Sequence, residues 1–233
     1  MQKDPIEYFY SVRSVYAYLG AARIAALAAR FGRKLLHKPV DLGKVVAGFG
    51  SPPIVERNTK HKTLYFGREL ERWSEFLGMP LTVDPKHHFG DRLLPSGAIL
   101  AAQAAGLDTD ALSLAILRAL WRDDRDIADR EVLAELCKEA GIDAQRVLAA
   151  ALSEPIQAQF AGCSSEAIAK DVPGSPAYVV DGEVFYGQNR LEMVERAPQG
   201  FGSRGSRALG IREPRLPRPR RPFAPTRISR LSW

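Results

Sequence analysis

Short strands and helices alternate in two separate parts of the chain, and a long helical stretch lies between them. Residues 6–11 (IEYFYS) are rich in aromatic side chains, which predicts a strand. Residues 14–30 are rich in Ala and Leu with small residues on all sides, which predicts a helix packed closely against a sheet. Residues 34–39 predict a second short strand, so the chain opens with a β-α-β unit.

The alternation returns after residue 172. Residues 177–180 (AYVV) and 183–186 (EVFY) flank the dipeptide Asp181-Gly182, which predicts a β-hairpin with an apolar first strand. Residues 189–197 predict a closing helix. Neither the opening unit nor this β-β-α segment is complete alone, so we expect the two to form one structure.

The region between the two alternating segments is predominantly helical. Residues 48–53 predict a loop, residues 64–76 predict a helix with a polar face, and residues 79–95 are irregular. From residue 96 to residue 171 the pattern is helical throughout, and three aspartates can act as N-caps of successive helices: Asp108, Asp129 and Asp143.

A β-α-β opening, a helical insertion and a β-β-α ending are typical of an α/β thioredoxin fold with a large all-helical insertion domain. We assign residues 4–40 and 172–197 to the thioredoxin-like domain. Residues 41–171 then form the connecting segment and the inserted helical domain. Beyond Ala197 the composition changes to Arg, Pro, Gly and Ser without apolar periodicity, which predicts a disordered tail over residues 198–233.

The positive net charge of +6 is located in this tail. Ten arginines and a single acid, Glu213, lie between Arg196 and Trp233, so residues 1–195 carry a small negative charge. The global charge therefore gives no reason to expect nucleic acid as a partner of the folded part. A nucleic-acid-binding arm formed by the tail is one open alternative, and a gene end read in a shifted frame, which would give the same composition, is the other.

Cysteine usage indicates a reducing compartment, and hydropathy predicts neither a signal peptide nor a membrane-spanning segment. The two cysteines, Cys137 and Cys163, form no CxxC pair and have no metal-ligand spacing. Residues 1–10 lack the features of a signal peptide, and no apolar stretch is long enough to cross a bilayer. We expect a cytoplasmic protein without a membrane partner.

Ser14 is the first candidate for chemistry, because it lies where the first strand meets the first helix. The N-terminus of a helix offers unpaired N–H groups and a partial positive charge to an anion, and a thiolate could bind there. A serine hydroxyl cannot perform redox chemistry, but it can donate a hydrogen bond to a thiolate that another molecule supplies. The alternative is that Ser14 only caps the helix.

Ser175 and Pro176 are the second candidate, because they immediately precede the strand at residues 177–180. Thioredoxin folds place a cis proline at the start of a strand beside the active-site helix, and the backbone of the preceding residue is then free to pair with a bound peptide. The alternative is an ordinary trans proline in a turn. The two candidates together are more specific than either alone.

Three segments resemble the 2-hydroxychromene-2-carboxylate isomerases and the related kappa-class glutathione transferases, within the wider DsbA-like superfamily. These segments are residues 6–19, residues 120–142 (LWRDDRDIADREVLAELCKEAGI) and residues 172–194 (VPGSPAYVVDGEVFYGQNRLEMV). The resemblance implies glutathione as cofactor, a homodimer, a small-molecule substrate and a serine hydrogen-bonded to the glutathione sulfur. Ser14 matches that serine.

Other residues match the family unevenly. Lys62 and Tyr65 match a Lys-x-x-Tyr motif whose lysine is expected to face the glutathione or substrate site, although a solvated surface lysine is the alternative. Arg190 matches an arginine that helps to hold the charged ends of glutathione, with Ser175 and Pro176 at the peptide backbone. Asn189 replaces the aspartate of that motif, which weakens the predicted contact with the γ-glutamyl ammonium.

Two departures from the family fall in the substrate region. Val15 replaces the proline of the Ser-Pro-Tyr motif, and Gly50-Ser51-Pro52-Pro53 replaces Asn-Lys-Pro-Pro, so that Asn58 is the nearby candidate for the lost asparagine. His87 and His88 are adjacent and lack further clustered ligands. We therefore expect no metal site and place the two histidines near the substrate mouth.

The residues and the resemblance together predict a glutathione-dependent isomerase acting on a conjugated aromatic carboxylate. A kappa-like glutathione transferase or peroxidase would use the same thiolate site with another acceptor. A non-catalytic thioredoxin-fold binding module is the third possibility, favoured by the changes at Val15 and Asn189. A disulfide oxidoreductase is disfavoured, because the chain has no CxxC motif.

Overall fold

The computed structural model describes residues 4–52, 56 and 58–197, without the side chains of residues 61 and 62. Within this part the two alternating segments share one sheet with strand order β2-β1-β3-β4. Strands β1 and β2 are parallel, and β3 is antiparallel to both β1 and β4. The strands are β1 (Ile6–Tyr10), β2 (Leu35–Pro39), β3 (Ala177–Val180) and β4 (Glu183–Tyr186). The predicted α/β thioredoxin fold is confirmed.

The other regular elements of the described chain are helices, and α1 connects the two parallel strands. They are α1 (Val15–Arg30), α2 (Leu42–Gly48), α3 (Thr59–Thr63), a π-helical turn (Leu64–Arg68), α4 (Glu69–Leu77), α5 (Leu93–Ala104), α6 (Thr109–Trp121), α7 (Arg130–Glu139), α8 (Ala144–Ala151), α9 (Glu154–Ala169), a 3₁₀ turn (Gln188–Arg190) and α10 (Leu191–Arg196). None of these described helices is long and apolar enough to cross a membrane. The predicted separation of residues 41–171 as an inserted domain stays a prediction, and the predicted disordered tail lies outside the described residues.

Aspartate caps set the starts of three inserted helices, as the sequence predicts. The carboxylate of Asp108 accepts the Ala111 N–H, and Asp129 and Asp143 each accept two N–H groups of the helix that follows. These bonds satisfy donors that have no partner inside the helix, which is why the chain starts a helix at each aspartate.

Four local features of the structure differ from the predictions. Helix α2 lies in a stretch for which the sequence predicts no helix, because seven residues with two buried valines are too short for a periodic pattern. The predicted helix at residues 64–76 begins as the π-helical turn, and α4 continues it. The closing helix begins with the 3₁₀ turn, and α5 begins at Leu93, inside the stretch predicted to be irregular.

A polar network inside the core ties the sheet to helix α6. The Tyr10 hydroxyl lies 3.0 Å from His37 Nδ1 and 2.8 Å from Ser113 Oγ. His37 Nε2 lies 2.6 Å from the Asp110 carboxylate. Because buried polar groups are costly unless they are paired, this network fixes how α6 sits against β1 and β2.

Candidate active site

Helix α1 begins directly after the turn that follows β1, and Ser14 is its N-cap. The Ser14 hydroxyl oxygen accepts the N–H of Ala17 at 3.2 Å, and the Ser14 N–H donates to the carbonyl oxygen of Ser11 at 2.9 Å. Only 8% of Ser14 is exposed. Ser14 therefore caps helix α1, which is the alternative role given above for this residue. The helix end also places the hydroxyl where the helix dipole favours an anion.

The structure brings Ser14 and Ser175 together. The Ser14 hydroxyl donates to the Ser175 carbonyl oxygen at 3.4 Å, and the Ser11 N–H donates to Ser175 Oγ at 2.9 Å. The Ser175-Pro176 peptide bond is cis. A separation of 3.4 Å is long for an O–H···O hydrogen bond, so the Ser14 proton can turn to a stronger acceptor at little cost.

The N–H of Ser175, the residue before the cis proline, is not used in a hydrogen bond within the described part of the chain. The Pro176 carbonyl accepts the Gly187 N–H at 2.8 Å. Gly174 packs so closely on Tyr186 that a Cβ there would lie 3.0 Å from the ring. The Ser175 N–H can therefore pair with the backbone of a bound peptide.

Asn189 and Arg190 lie on the 3₁₀ turn that directly follows Gly187, the residue whose N–H donates to the Pro176 carbonyl. Both side chains are exposed, and the Arg190 N–H donates to the Gly187 carbonyl at 3.0 Å. Gly187 has a φ of 104°, and a Cβ there would lie 2.6 Å from Asn189 Oδ1. The structure shows no contact between these two side chains and Ser14.

Lys62 belongs to α3, and its side chain lies outside the described residues. The π-helical turn that follows α3 docks on α1, because the Tyr16 hydroxyl donates to the Tyr65 carbonyl at 2.8 Å and the two rings lie 5.2 Å apart. Burial raises the pKa of Tyr16, which keeps its hydroxyl protonated as a donor. Asn58 uses its side-chain oxygen locally, as acceptor for the Lys60 N–H at 2.8 Å.

The irregular segment before α5 covers the turn between β1 and α1. Arg13 Nη1 donates to the Gly90 carbonyl at 3.1 Å. Burial, and then the charge of Arg13, lower the pKa of His88. His88 therefore lies near Arg13, whereas His87 faces Asp126 at 3.7 Å. The expected place of both histidines at a substrate mouth stays a prediction.

Sequence reasoning missed Arg13, Arg92 and Asp41 as parts of this edge. The sequence does carry a signal for Arg13. A cation at the start of a helix interacts unfavourably with the helix dipole, so its presence there indicates a specific role. Nothing in the local sequence predicts that Arg92 contacts Asp41. The two side chains form an ion pair at 2.6 Å, although 51 residues separate them in the sequence.

The family is decided by the match of a domain model to most of the chain. The model of the DSBA-like thioredoxin domain matches residues 5–199. The chain belongs to this family.

Two relatives and one solved structure are similar to this DSBA-like chain. It is 26% identical over 193 residues to a 2-hydroxychromene-2-carboxylate isomerase of Sphingobium xenophagum, covering 82% of this chain and 95% of the relative. It is 24% identical over 203 residues to glutathione S-transferase kappa 1 of Rattus norvegicus, covering 81% and 88%. A solved structure of a 2-hydroxychromene-2-carboxylate isomerase superposes with a TM-score of 0.70 at 22% identity, covering 83% of this chain and 94% of that one.

The expected resemblance to these isomerases and to kappa-class transferases is thereby confirmed. Among the described residues of the DSBA-like chain, no group of three or more His, Cys, Asp or Glu side chains is placed to hold a metal ion.

Both thiols of the DSBA-like domain are expected to be inert in the native protein. Cys137 and Cys163 are buried, and burial raises the pKa of the Cys163 thiol to about 11 and also raises that of Cys137. Since the thiolate is the reactive form, an aromatic disulfide reagent at about pH 8 should label neither cysteine until denaturant is added. Rapid labelling of either cysteine without denaturant would contradict this prediction.

Proposed function

We propose that this chain is a glutathione-dependent isomerase of the 2-hydroxychromene-2-carboxylate type, acting on a conjugated aromatic carboxylate. The observation that carries the proposal is the meeting of the Ser14 hydroxyl, at the N-terminus of α1, with Ser175 at the cis proline. The curated relatives include both an isomerase of this name and a glutathione transferase, which supports glutathione as the cofactor.

The backbone and side chains at this edge fit glutathione. The unpaired Ser175 N–H and the Ser175 carbonyl are a donor and an acceptor for a peptide backbone, as in strand addition. The Ser14 hydroxyl and the start of α1 are a donor and a positive potential for a sulfur anion. Arg190, Asn189 and Lys62 are proposed to contact the charged ends of the peptide.

Bound glutathione would supply a thiolate nucleophile that adds to the unsaturated carbon of the substrate and later leaves. Ser14 keeps that sulfur ionised by donating its proton in a hydrogen bond, without losing it. Ser175 holds the peptide backbone, which aligns the sulfur with the Ser14 hydroxyl. The protein itself undergoes no covalent change.

Calorimetric titration with glutathione, followed by an isomerisation assay on 2-hydroxychromene-2-carboxylate, tests the proposal. We expect binding and turnover, with the concentration of free thiol unchanged at the end of the reaction. Absence of glutathione binding would contradict the proposal and favour a non-catalytic binding module. The expectation of a cytoplasmic homodimer belongs to the same proposal, and sedimentation analysis tests the dimer.

A kappa-like transferase is the second candidate, because one of the matched relatives carries that name. Consumption of glutathione separates the two functions, since an isomerase regenerates the thiol that it uses. Formation of a stable glutathione conjugate in proportion to the substrate consumed would replace the isomerase proposal with the transferase.

A further inference from the structure

Arg13 is a cation without an acidic partner beside the proposed active serine. It directly precedes Ser14, it is partly buried, and its guanidinium donates to the Gly90 carbonyl at 3.1 Å. Across the described ranges no carboxylate forms an ion pair with Arg13, although Asp41 and Asp91 are near enough for their charges to act on it. Its position at the positive end of α1 makes this charge unfavourable unless an anion is present.

A second cation, Arg92, lies close to Arg13. It occupies the N-cap position of α5, and its Nη2 donates to Asp41 Oδ2 at 2.6 Å. The other oxygen of Asp41 accepts the Gly43 N–H at 3.2 Å, so both oxygens of that carboxylate are already occupied. The Arg92 Nε is buried and has no partner among the described residues. Asp41 is thus ion-paired with Arg92, and its charge acts on Arg13 without a direct ion pair between the two side chains in the described part of the chain.

The strand order places different segments of the chain on the two sides of Ser14. Ser14 follows the central strand β1, Ser175 enters β3 on one side, and Asp41 follows β2 on the other. Because β1 and β2 are parallel, their carboxyl ends share one edge of the sheet, and the Val40 N–H donates to the Tyr10 carbonyl there at 2.8 Å. The peptide-binding backbone and the two cations therefore flank the serine from opposite sides.

We propose that Arg13, positioned by the segment carrying Gly90 and backed by Arg92, binds the carboxylate of the acceptor substrate. A guanidinium can hold a carboxylate through two parallel hydrogen bonds, which fixes both the position and the orientation of the acceptor. Burial and the neighbouring charge of Arg92 lower the pKa of Arg13, and a bound anion would relieve both effects. The rings of His88 and Phe89, 4.8 Å apart, offer an aromatic surface next to it, and Phe89 is 83% exposed.

This inference rests on the proposed function and names Arg13 as the residue that recognises the carboxylate of its substrate. The probes are trans-2-hydroxycinnamate and its carboxamide, titrated calorimetrically into the glutathione-loaded full chain. We expect the wild-type protein to bind the carboxylate at least about tenfold more tightly than the carboxamide, and Arg13→Gln to abolish that preference. Arg13→Lys should keep part of it. Arg146→Gln is the matched control, because Arg146 is exposed on α8, and it should behave like the wild type.

Retention of the carboxylate preference by Arg13→Gln would overturn the inference, and so would the lack of any preference in the wild type. Arg13→Gln should leave the affinity for glutathione within about twofold and raise the KM for 2-hydroxychromene-2-carboxylate about 10- to 100-fold, with kcat within about threefold. If the wild type shows the preference but no isomerisation, the proposed function fails and the anion subsite stands. If it isomerises and Arg13→Gln leaves KM unchanged, the subsite fails and the function stands.

Discussion

Ser14→Ala is expected to lower kcat about 100-fold while the protein keeps its native fold. The substitution removes the hydroxyl that points to Ser175 and that would donate to the sulfur, so the thiolate loses a hydrogen bond from the site. Lowering a thiol pKa by about 2 units corresponds to about 2.7 kcal/mol, which is a reasonable sum for one hydrogen bond and a helix terminus. Steady-state kinetics at saturating glutathione measure the effect.

Two control variants separate this role from the helix cap. Ser14→Ala also removes the cap on the Ala17 N–H, which costs about 1 kcal/mol of stability. Asp143→Ala removes the corresponding cap of α8 and should cost a similar amount without changing kcat. Ser14→Thr keeps a hydroxyl and should retain most of the activity. Full activity in Ser14→Ala would remove Ser14 from the chemistry.

Gly97→Ala is expected to destabilise the fold by about 2 to 4 kcal/mol. Gly97 lies on α5 where this helix crosses α8, and a Cβ there would lie 2.0 Å from the Ala151 carbonyl oxygen and 2.8 Å from its carbon. Both contacts are with backbone, so no side-chain rotation relieves them, and the helices have to move apart. Chemical denaturation followed by circular dichroism measures the loss in the free energy of unfolding.

Gly162→Ala is the matched control, with the opposite sign expected. Gly162 is exposed within α9, and a Cβ there meets nothing within 4 Å. Replacing a helical glycine by alanine in open space should stabilise the protein by about 0.5 to 1 kcal/mol. If both substitutions changed the free energy of unfolding by the same amount, the close contact between α5 and α8 would not be what makes Gly97 necessary.

Much of the fold can be predicted from local sequence because its signals are local. An aromatic run gives β1, a dipeptide with two positive φ angles gives the β3-β4 turn at Asp181 and Gly182, and aspartate caps give the inserted helices. The same holds for Ser14, since a serine between a strand and a helix is already placed as an N-cap by its neighbours.

Contacts between distant segments could not be predicted in this way. The Tyr10–Ser113 pair spans 103 residues, and the links from Arg13 to Gly90 and from Arg92 to Asp41 depend on how an irregular segment lies across the sheet edge. Propensity and periodicity carry no information on such a crossing, because they describe one element at a time. The contacts that Arg13 and Arg92 make beside Ser14 therefore could not be predicted from the sequence.

The pKa of the thiol of bound glutathione tests the central claim most directly. It can be followed by the ultraviolet absorbance of the thiolate as pH is varied, in the wild type and in Ser14→Ala. The account predicts a value about 2 units below that of free glutathione in the wild type, and a rise of at least about 1 unit in Ser14→Ala. An unshifted thiol pKa in the wild-type complex, or the same lowered value in both proteins, would contradict it.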